Sequence, residues 1–266
     1  MPDHEILPAR TDTATGHVGT YRRVLPVSLE RMYENALDWE HLPHVHSNSF
    51  AGIECLDAGA WGWRAAVVDG RGQSSVIELA LDRSLRRWIT RNLEGPNAGA
   101  EIWTHVFPVE DRRVDIVVDF FVPGVSAADR EKAGNAYAGL YSILYDEDVA
   151  MMVERQRQLD ARLNAGAVSV DLGERATLEF PVSVQLGSRE FVIAAIGEEL
   201  VAYPALCPHQ LGPLDSVPLV DGTVTCPWHG YRFDVRSGSC VSGQSCRLQT
   251  AEVEERQGRV IVSTTH

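Results

Sequence analysis

Apolar residues recur with two different periods along the first half of the chain. Over residues 29–41 they fall at Leu29, Met32, Tyr33, Ala36 and Leu37, the three-and-four spacing of a helix with one buried stripe. Beyond residue 50 the period drops to two. Strands are predicted over 50–56, 61–68, 75–81, 85–90, 101–109 and 113–122, after a short first strand at 20–26. In the last of these, Ile116, Val118 and Phe120 alternate with Asp115, Val117 and Asp119, so one face meets a core. A long helix is predicted over 127–163, with Ser126 as its N-cap and Asp129 and Arg130 in its first turn. On it Leu140, Tyr141, Leu144, Asp148, Met151, Met152 and Arg155 recur at steps of three and four, which puts Asp148 on the apolar stripe.

Turn chemistry divides the chain. Residues 1–18 are polar, with Pro and Gly, and read as a flexible arm. Residues 164–173 are rich in Gly, Ala and Ser and read as a linker between a domain at 19–163 and a second at 174–266. The second shows only short strands and Gly/Pro turns, an all-β pattern.

Composition changes this picture little: 44% hydrophobic and 23% charged residues in 266 suit a globular protein of two domains. Charge changes it more. A formal net charge of −13 opposes phosphate backbones and anionic lipid, which argues against nucleic-acid and membrane partners. No run of about 18 apolar residues exists, and the first residues lack the basic and apolar regions of a signal peptide, so a cytoplasmic location is expected.

There are five cysteines: Cys55, Cys207, Cys226, Cys240 and Cys246. An odd number in a long chain does not suit a disulfide framework, which turns attention to metal. Cys207-Pro-His209 is followed after sixteen residues by Cys226-Pro-Trp-His229. This C-x-H…C-x-x-H pattern supplies one thiolate and one imidazole from each of two loops, the donor set of a Rieske [2Fe–2S] cluster. Pro208, Pro213, Pro227, Gly212 and Gly230 stiffen or turn both loops. A structural zinc site is the alternative, although zinc motifs more often begin C-x-x-C. The full string Cys-Pro-Trp-His-Gly-Tyr-Arg-Phe-Asp, from Cys226 to Asp234, resembles the second cluster loop of Rieske oxygenases and Rieske ferredoxins. The cytochrome-complex branch adds a disulfide-forming cysteine to each loop; here those places hold Gly212 or Pro213 and Trp228. Cys55, Cys240 and Cys246 read as small core or surface residues.

A second constellation lies upstream. Asp38, His41 and His46 form D-x-x-H-x-x-x-x-H, with His44 as a competing imidazole. Asp38 and His41 share a helical face, whereas His41 and His46 would diverge by about 140° on a regular helix. The helix must therefore bend or end between them, and Pro43 is placed to cause it. Two imidazoles and a carboxylate on one face of Fe(II) leave positions open for O₂ and substrate. Asp148 is the candidate carboxylate, because facing a core is costly for a carboxylate unless it is paired or on a metal. Asp146 and Glu147 read as the solvated face of the same helix.

The motif resembles that of Rieske non-haem iron oxygenases, closest to the vanillate demethylase and dicamba monooxygenase group. The resemblance implies His41, His46 and Asp148 as ligands of a mononuclear Fe(II). It implies Asp38 as a bridge between His41 and the cluster ligand His229, along which electrons pass. Asn35 matches a position near the iron, or is a helix-surface amide. The domain order is reversed, with catalysis first. The implied fold is α+β: a helix-grip (START-like) catalytic domain at 19–163, then the all-β Rieske domain.

The implied function is an oxygenase component that takes electrons from an NAD(P)H-dependent reductase or a ferredoxin. With O₂ it would hydroxylate or demethylate an aromatic or other cyclic organic substrate. A homotrimer is the implied assembly. Trp61, Trp63, Trp103, His105 and Phe107 are core or pocket candidates. Arg232 and Arg236 flank the cluster loops as candidates for docking an acidic electron donor. The competing reading is a hydrophobic-ligand carrier fused to a Rieske ferredoxin, which would hold no second iron site.

Overall fold

The structure is a computed structural model that describes residues 16–161 and 169–264. Residues 1–15 of the expected arm and 164–168 of the expected linker lie outside these; the remaining linker residues, 169–173, are strand and not a loose connection. The chain divides into two compact units, Met1–Val153 and Glu154–His266. No helix among the described residues is long and apolar enough to cross a membrane.

The first unit opens with strand β1 (His17–Leu25), helix α1 (Leu29–Leu37), a 3-10 turn (Trp39–His41) and a short helix α2 (Leu42–Val45). Six strands follow: β2 (Phe50–Gly59), β3 (Gly62–Asp69), β4 (Ser74–Asp82), β5 (Arg87–Glu94), β6 (Glu101–Glu110) and β7 (Arg113–Phe121). Helix α3 (Arg130–Ala161) begins after them. The seven strands make one antiparallel sheet in the order β1-β7-β6-β5-β4-β3-β2. A meander of six strands thus closes back onto β1, with the helices packed on one face: the helix-grip arrangement of the expected α+β class.

Local chemistry explains these elements. Ser28 Oγ caps α1 by accepting from the Arg31 amide at 3.3 Å. In β7 the expected alternation holds: Val114, Ile116, Val118 and Phe120 are fully buried. They pack with Met32 and Ala36 of α1 and Tyr145 and Met152 of α3. Helix α3 can reach β1 only because glycines meet at the crossing: a Cβ on Gly134 would lie 2.3 Å from the Val18 carbonyl oxygen. Its buried stripe includes Tyr145, which the sequence pattern omits, while Leu140 lies at the rim, 40% exposed.

The other face of the sheet carries charge. Register pairs Arg64 with Glu78, Glu78 with Arg91 and Arg91 with Glu101, across four adjacent strands. Each step is an ion pair, with Arg91 3.1 Å from Glu78 and 3.2 Å from Glu101. Trp103, His105 and Phe107 share this face in alternation with buried Ile102, Thr104 and Val106. Trp103 Nε1 donates to Glu101 at 2.9 Å, and Phe107 is half exposed.

Among the described residues the second unit is all-β apart from the end of α3 and one 3-10 turn at Arg175–Thr177. Strands β9 (Val182–Leu186), β10 (Arg189–Ile196) and β11 (Glu199–Pro204) form one sheet. Strands β8 (Ser169–Glu174), β14 (Glu252–Arg256) and β15 (Arg259–Ser263) form another. Phe191, Ile193, Val184, Leu186, Val260 and Val262 fill the core between them. The short pair β12 (Thr223–Thr225) and β13 (Arg232–Asp234) carries the second Cys–His loop on its tip.

Candidate metal centre and cluster loops

In the first unit the chain turns sharply between α1 and β2. Helix α1 stops at Asp38, whose backbone (φ −88°, ψ 83°) leaves the helical region. The break therefore comes earlier than Pro43. That proline sits in the first turn of α2, where its missing N–H costs nothing and its fixed φ starts a helix. His41 closes the 3-10 turn and His46 caps α2 from outside, so the two rings can face each other. Their centroids are 5.2 Å apart, nearly edge to face.

Asp148 meets them from α3. Its Oδ1 lies 3.4 Å from His41 Nε2 and 3.0 Å from His46 Nε2. All three residues are buried, and their ligand atoms lie within 4.8 Å of one another. His44, the competing imidazole, is exposed and outside this group. Burial opposes ionisation of Asp148, but hydrogen bonds from His41 and His46 overcome it and hold the carboxyl below its ordinary range. Burial likewise works against charge on His46, but Asp148 and then Glu147 outweigh it and raise that imidazole's affinity for protons. Such a set, two imidazoles and a carboxylate converging in a buried pocket, fits a divalent iron.

Two further side chains hold the ligands in place, and a third lies close by. Asn35 Nδ2 donates to Asp148 Oδ1 at 2.9 Å, so it is not merely a surface amide. Asp38 Oδ2 lies 3.8 Å from His41 Nδ1, longer than a hydrogen bond, with its side chain buried. Glu147 Oε2 lies 2.7 Å from His46 Nδ1. Glu147 is therefore turned inward, where the helix pattern alone had it solvated; Asp146 does face outward, paired with Arg23 at 2.6 Å. The signal for Glu147 lies in chemistry rather than periodicity, since the far nitrogen of a ligating imidazole usually has a carboxylate or carbonyl partner.

A cavity of about 120 Å³ opens onto the triad, walled by Asn35, Phe50, Trp63, Trp88, Tyr141 and Tyr145 among others. Trp63 is fixed there by donating to the Ala36 carbonyl at 2.9 Å. A larger cavity of about 500 Å³ shares Phe50, Ile77, Thr90, Tyr141 and Leu144 with the first. Its far wall is polar, with Asn48, Asp69, Arg71, Gln73, Asn92 and Asn97. Burial raises the pKa values of Tyr137, Tyr141 and Tyr145, so these phenols keep their protons. Of the aromatic candidates from the sequence, Trp63 lines the cavity at the triad; Trp61 lines neither of these two cavities, and Trp103, His105 and Phe107 lie on the opposite sheet face.

In the second unit the two Cys–His loops are near copies. The Cys207 carbonyl accepts from Leu211 at 3.0 Å, and its amide donates to Gly212 at 2.8 Å. The Cys226 carbonyl accepts from Gly230 at 2.9 Å, and its amide donates to Tyr231 at 2.8 Å. The residue four after each cysteine has positive φ, +67° at Leu211 and +66° at Gly230. Both cysteines are buried, and the His209 and His229 rings stand 4.5 Å apart. The two thiols lie against each other, and their mutual hydrogen bond lowers the pKa of Cys226 and raises that of Cys207. Gly212 backs directly onto this nest. A Cβ there would lie 2.8 Å from Cys226 Sγ and 3.1 Å from the Trp228 ring. Gly212 thus packs against the Trp228 indole, where a larger residue would collide. Two thiols and two imidazoles on paired turns fit a two-iron cluster.

Residues 167–252 match the Rieske [2Fe-2S] domain family. The C-terminal unit thus carries a Rieske domain. That domain implies a [2Fe–2S] cluster. Among curated proteins, the chain is 27% identical to methylxanthine N1-demethylase NdmA of Pseudomonas putida over 89 residues, 30% of this chain and 25% of that protein. It is 31% identical to Protein TIC 55, chloroplastic, of Arabidopsis thaliana over 93 residues, 31% of this chain and 17% of that protein. The chain thus spans a quarter or less of the length of these relatives. Among solved structures, the ferredoxin of carbazole 1,9a-dioxygenase from Nocardioides aromaticivorans aligns over 37% of this chain and 100% of its own. Its identity is 21% and its TM-score 0.33. A START superfamily protein from Mycobacterium smegmatis aligns over 48% of this chain and 94% of its own, with 20% identity and a TM-score of 0.41. Of the two arginines near the Rieske loops, Arg236 is held by Glu199 at 2.7 Å, and Arg232 is exposed.

Proposed function

We propose that the chain is an oxygenase component in which a Rieske cluster serves a mononuclear Fe(II) held by His41, His46 and Asp148. The observation that carries this reading is the convergence of the three buried side chains on one point inside a helix-grip cavity. A ligand carrier has no use for a buried carboxylate between two imidazoles, each with a further carboxylate behind it.

When bound, the cluster and a ferrous ion would supply single-electron transfer and the activation of O₂. The chain's residues do the rest. His41 and His46 present Nε2 to the common point, and Asp148 presents Oδ1. Asn35 fixes that carboxylate by donating to the same Oδ1. Glu147 holds His46 in the tautomer with its proton on Nδ1. Asp38 stands 3.8 Å from His41 Nδ1 and is the candidate bridge toward His229 by family resemblance. Cys207, Cys226, His209 and His229 are the proposed cluster ligands.

The larger cavity is the proposed substrate chamber. Its volume suits a cyclic organic molecule, with an apolar wall of Phe50, Ile77, Tyr141 and Leu144 beside the metal point. Substrate enclosure by this wall would exclude water from the reacting carbon. An NAD(P)H-dependent reductase or a ferredoxin is the proposed electron donor, and hydroxylation or demethylation the proposed outcome.

Iron analysis with oxygen uptake tests the reading. The intact protein should hold about three irons and two labile sulfides per chain. His41→Ala and Asp148→Ala should each lose one iron, keep the cluster absorption and fall to background turnover. Two irons in the intact protein, or full turnover in either variant, would sink it in favour of a carrier–ferredoxin.

A further inference from the structure

Cys240 and Cys246 lie on the hairpin that backs the second Cys–His loop. After β13 the chain doubles back, so Phe233 bridges to Cys240 and the Val241 amide donates to Arg232 at 2.8 Å. It then turns again through Gly243, at φ +102°. On the return, Ser239 bridges antiparallel to Arg247, and the Leu248 amide donates to Gly238 at 2.9 Å. In that register residues 240 and 246 are the next facing pair. Facing Cα atoms of an antiparallel pair stand about 4.5–5.5 Å apart, within the span of about 4.4–6.8 Å that a disulfide bridges.

Both thiols are free and half-buried, and they lie near enough for each to shift the other's proton affinity. They are also unlike. Cys240 Sγ lies 3.2 Å from Ser242 Oγ and 3.3 Å from Gln244 Oε1. Burial disfavours its thiolate, but hydrogen bonds from Ser242, from loop amides and from Cys246 prevail and lower its pKa. Cys246 is raised, first by burial and then by Cys240. An acidic thiol beside a less acidic one is the arrangement of an attacking and a resolving cysteine.

We propose that Cys240 and Cys246 are a redox-active dithiol that closes into a disulfide across the 240–246 loop. The oxidant is a low-molecular-weight disulfide of the glutathione class. Cys240 thiolate attacks one of its sulfurs, breaks the S–S bond and releases one thiol, leaving a mixed disulfide. Cys246, losing its proton, then attacks Cys240 sulfur and releases the second thiol. The protein pair loses two electrons and two protons; the external disulfide gains both. The closed ring ties down the strand that pairs with β13, directly after Tyr231 of the second Cys–His loop. This holds whether or not the first unit binds iron.

Trypsin isolates the pair, because cleavage after Arg236 and Arg247 yields Ser237–Arg247 with both cysteines and no others. The holoprotein is equilibrated anaerobically across glutathione redox buffers, acid-quenched, alkylated and digested, with its visible spectrum recorded first. With rising oxidised glutathione, this peptide should pass from doubly alkylated to unalkylated and two hydrogens lighter. Cys240→Ser and Cys246→Ser should each give a single glutathione adduct or a single alkylation instead. The proposal is overturned if the wild-type peptide stays doubly alkylated at every ratio, or if it accumulates two glutathione adducts.

Discussion

The two candidate iron sites hold their ligands by different means. The Rieske nest is built by backbone. Two loops repeat one hydrogen-bond pattern around a cysteine, and each places its imidazole two or three residues later. The triad is built by packing. Its ligands come from a broken helical turn and from a helix more than a hundred residues downstream, and side chains behind them hold their orientation. Local loops write themselves into sequence as fixed spacing, whereas a packed site depends on how far the sheet brings two helices together. Loss of a nest cysteine should therefore act in an all-or-none way, whereas the triad should also weaken by degrees when a side chain behind its ligands is removed.

The sharpest break would come at the nest. Cys226→Ser should remove the cluster altogether, seen as loss of the visible iron–sulfur absorption and of both labile sulfides. A retained chromophore would mean that Cys226 is not a ligand.

Graded loss is expected behind the triad. Glu147→Ala should weaken Fe(II) or Co(II) binding about 10–100-fold, with the cluster absorption unchanged, because His46 loses its orienting partner. Glu147→Gln, which can still hydrogen-bond Nδ1, should retain most of the affinity. Titration of the metal-depleted protein reads both. An Ala variant that binds as well as wild type would make Glu147 a bystander.

Gly134→Ala probes the packing rather than the ligands. Its new Cβ meets a β1 carbonyl at 2.3 Å, so α3 must shift. A loss of about 1–3 kcal/mol in stability is expected, together with weaker metal binding, from chemical denaturation and the same titration. Unchanged metal affinity in a destabilised variant would uncouple the triad from the helix crossing.

The smallest effect concerns pH. In the metal-free protein His46 binds its proton more tightly folded than unfolded, so its contribution is present below about pH 6.5 and is lost as pH rises through the folded value. Asp148 is shifted downward, so its contribution holds above about pH 4 and fades only in stronger acid. Metal-free protein should therefore melt at a higher temperature near pH 5–6 than near pH 9, and His46→Gln should flatten the difference.

Much of this was legible beforehand. Period-two stretches located six strands, and the spacing of Cys207, His209, Cys226 and His229 marked the nest. Asp148 stood out as an acid on an apolar stripe. The break at Asp38 did not, because Pro43 offered a stronger local signal for the same bend, and its true place opens α2. Glu147 was misjudged because helical periodicity assigns faces by angle, while a long side chain can reach around by hydrogen bonding. Trp103, His105 and Phe107 alternate as inward residues would, but strand alternation cannot say which side is in. Tyr145 fell one position outside the stripe drawn for α3.

The row of charges from Arg64 through Glu78 and Arg91 to Glu101 limits how this sheet can be misassembled. Sliding any one of these four strands by a single residue would swing its charge to the helix side, and leave the neighbour's buried and uncompensated. The row thus works as a key that fits one alignment only, and so fixes how far apart the sheet holds the walls of the chamber.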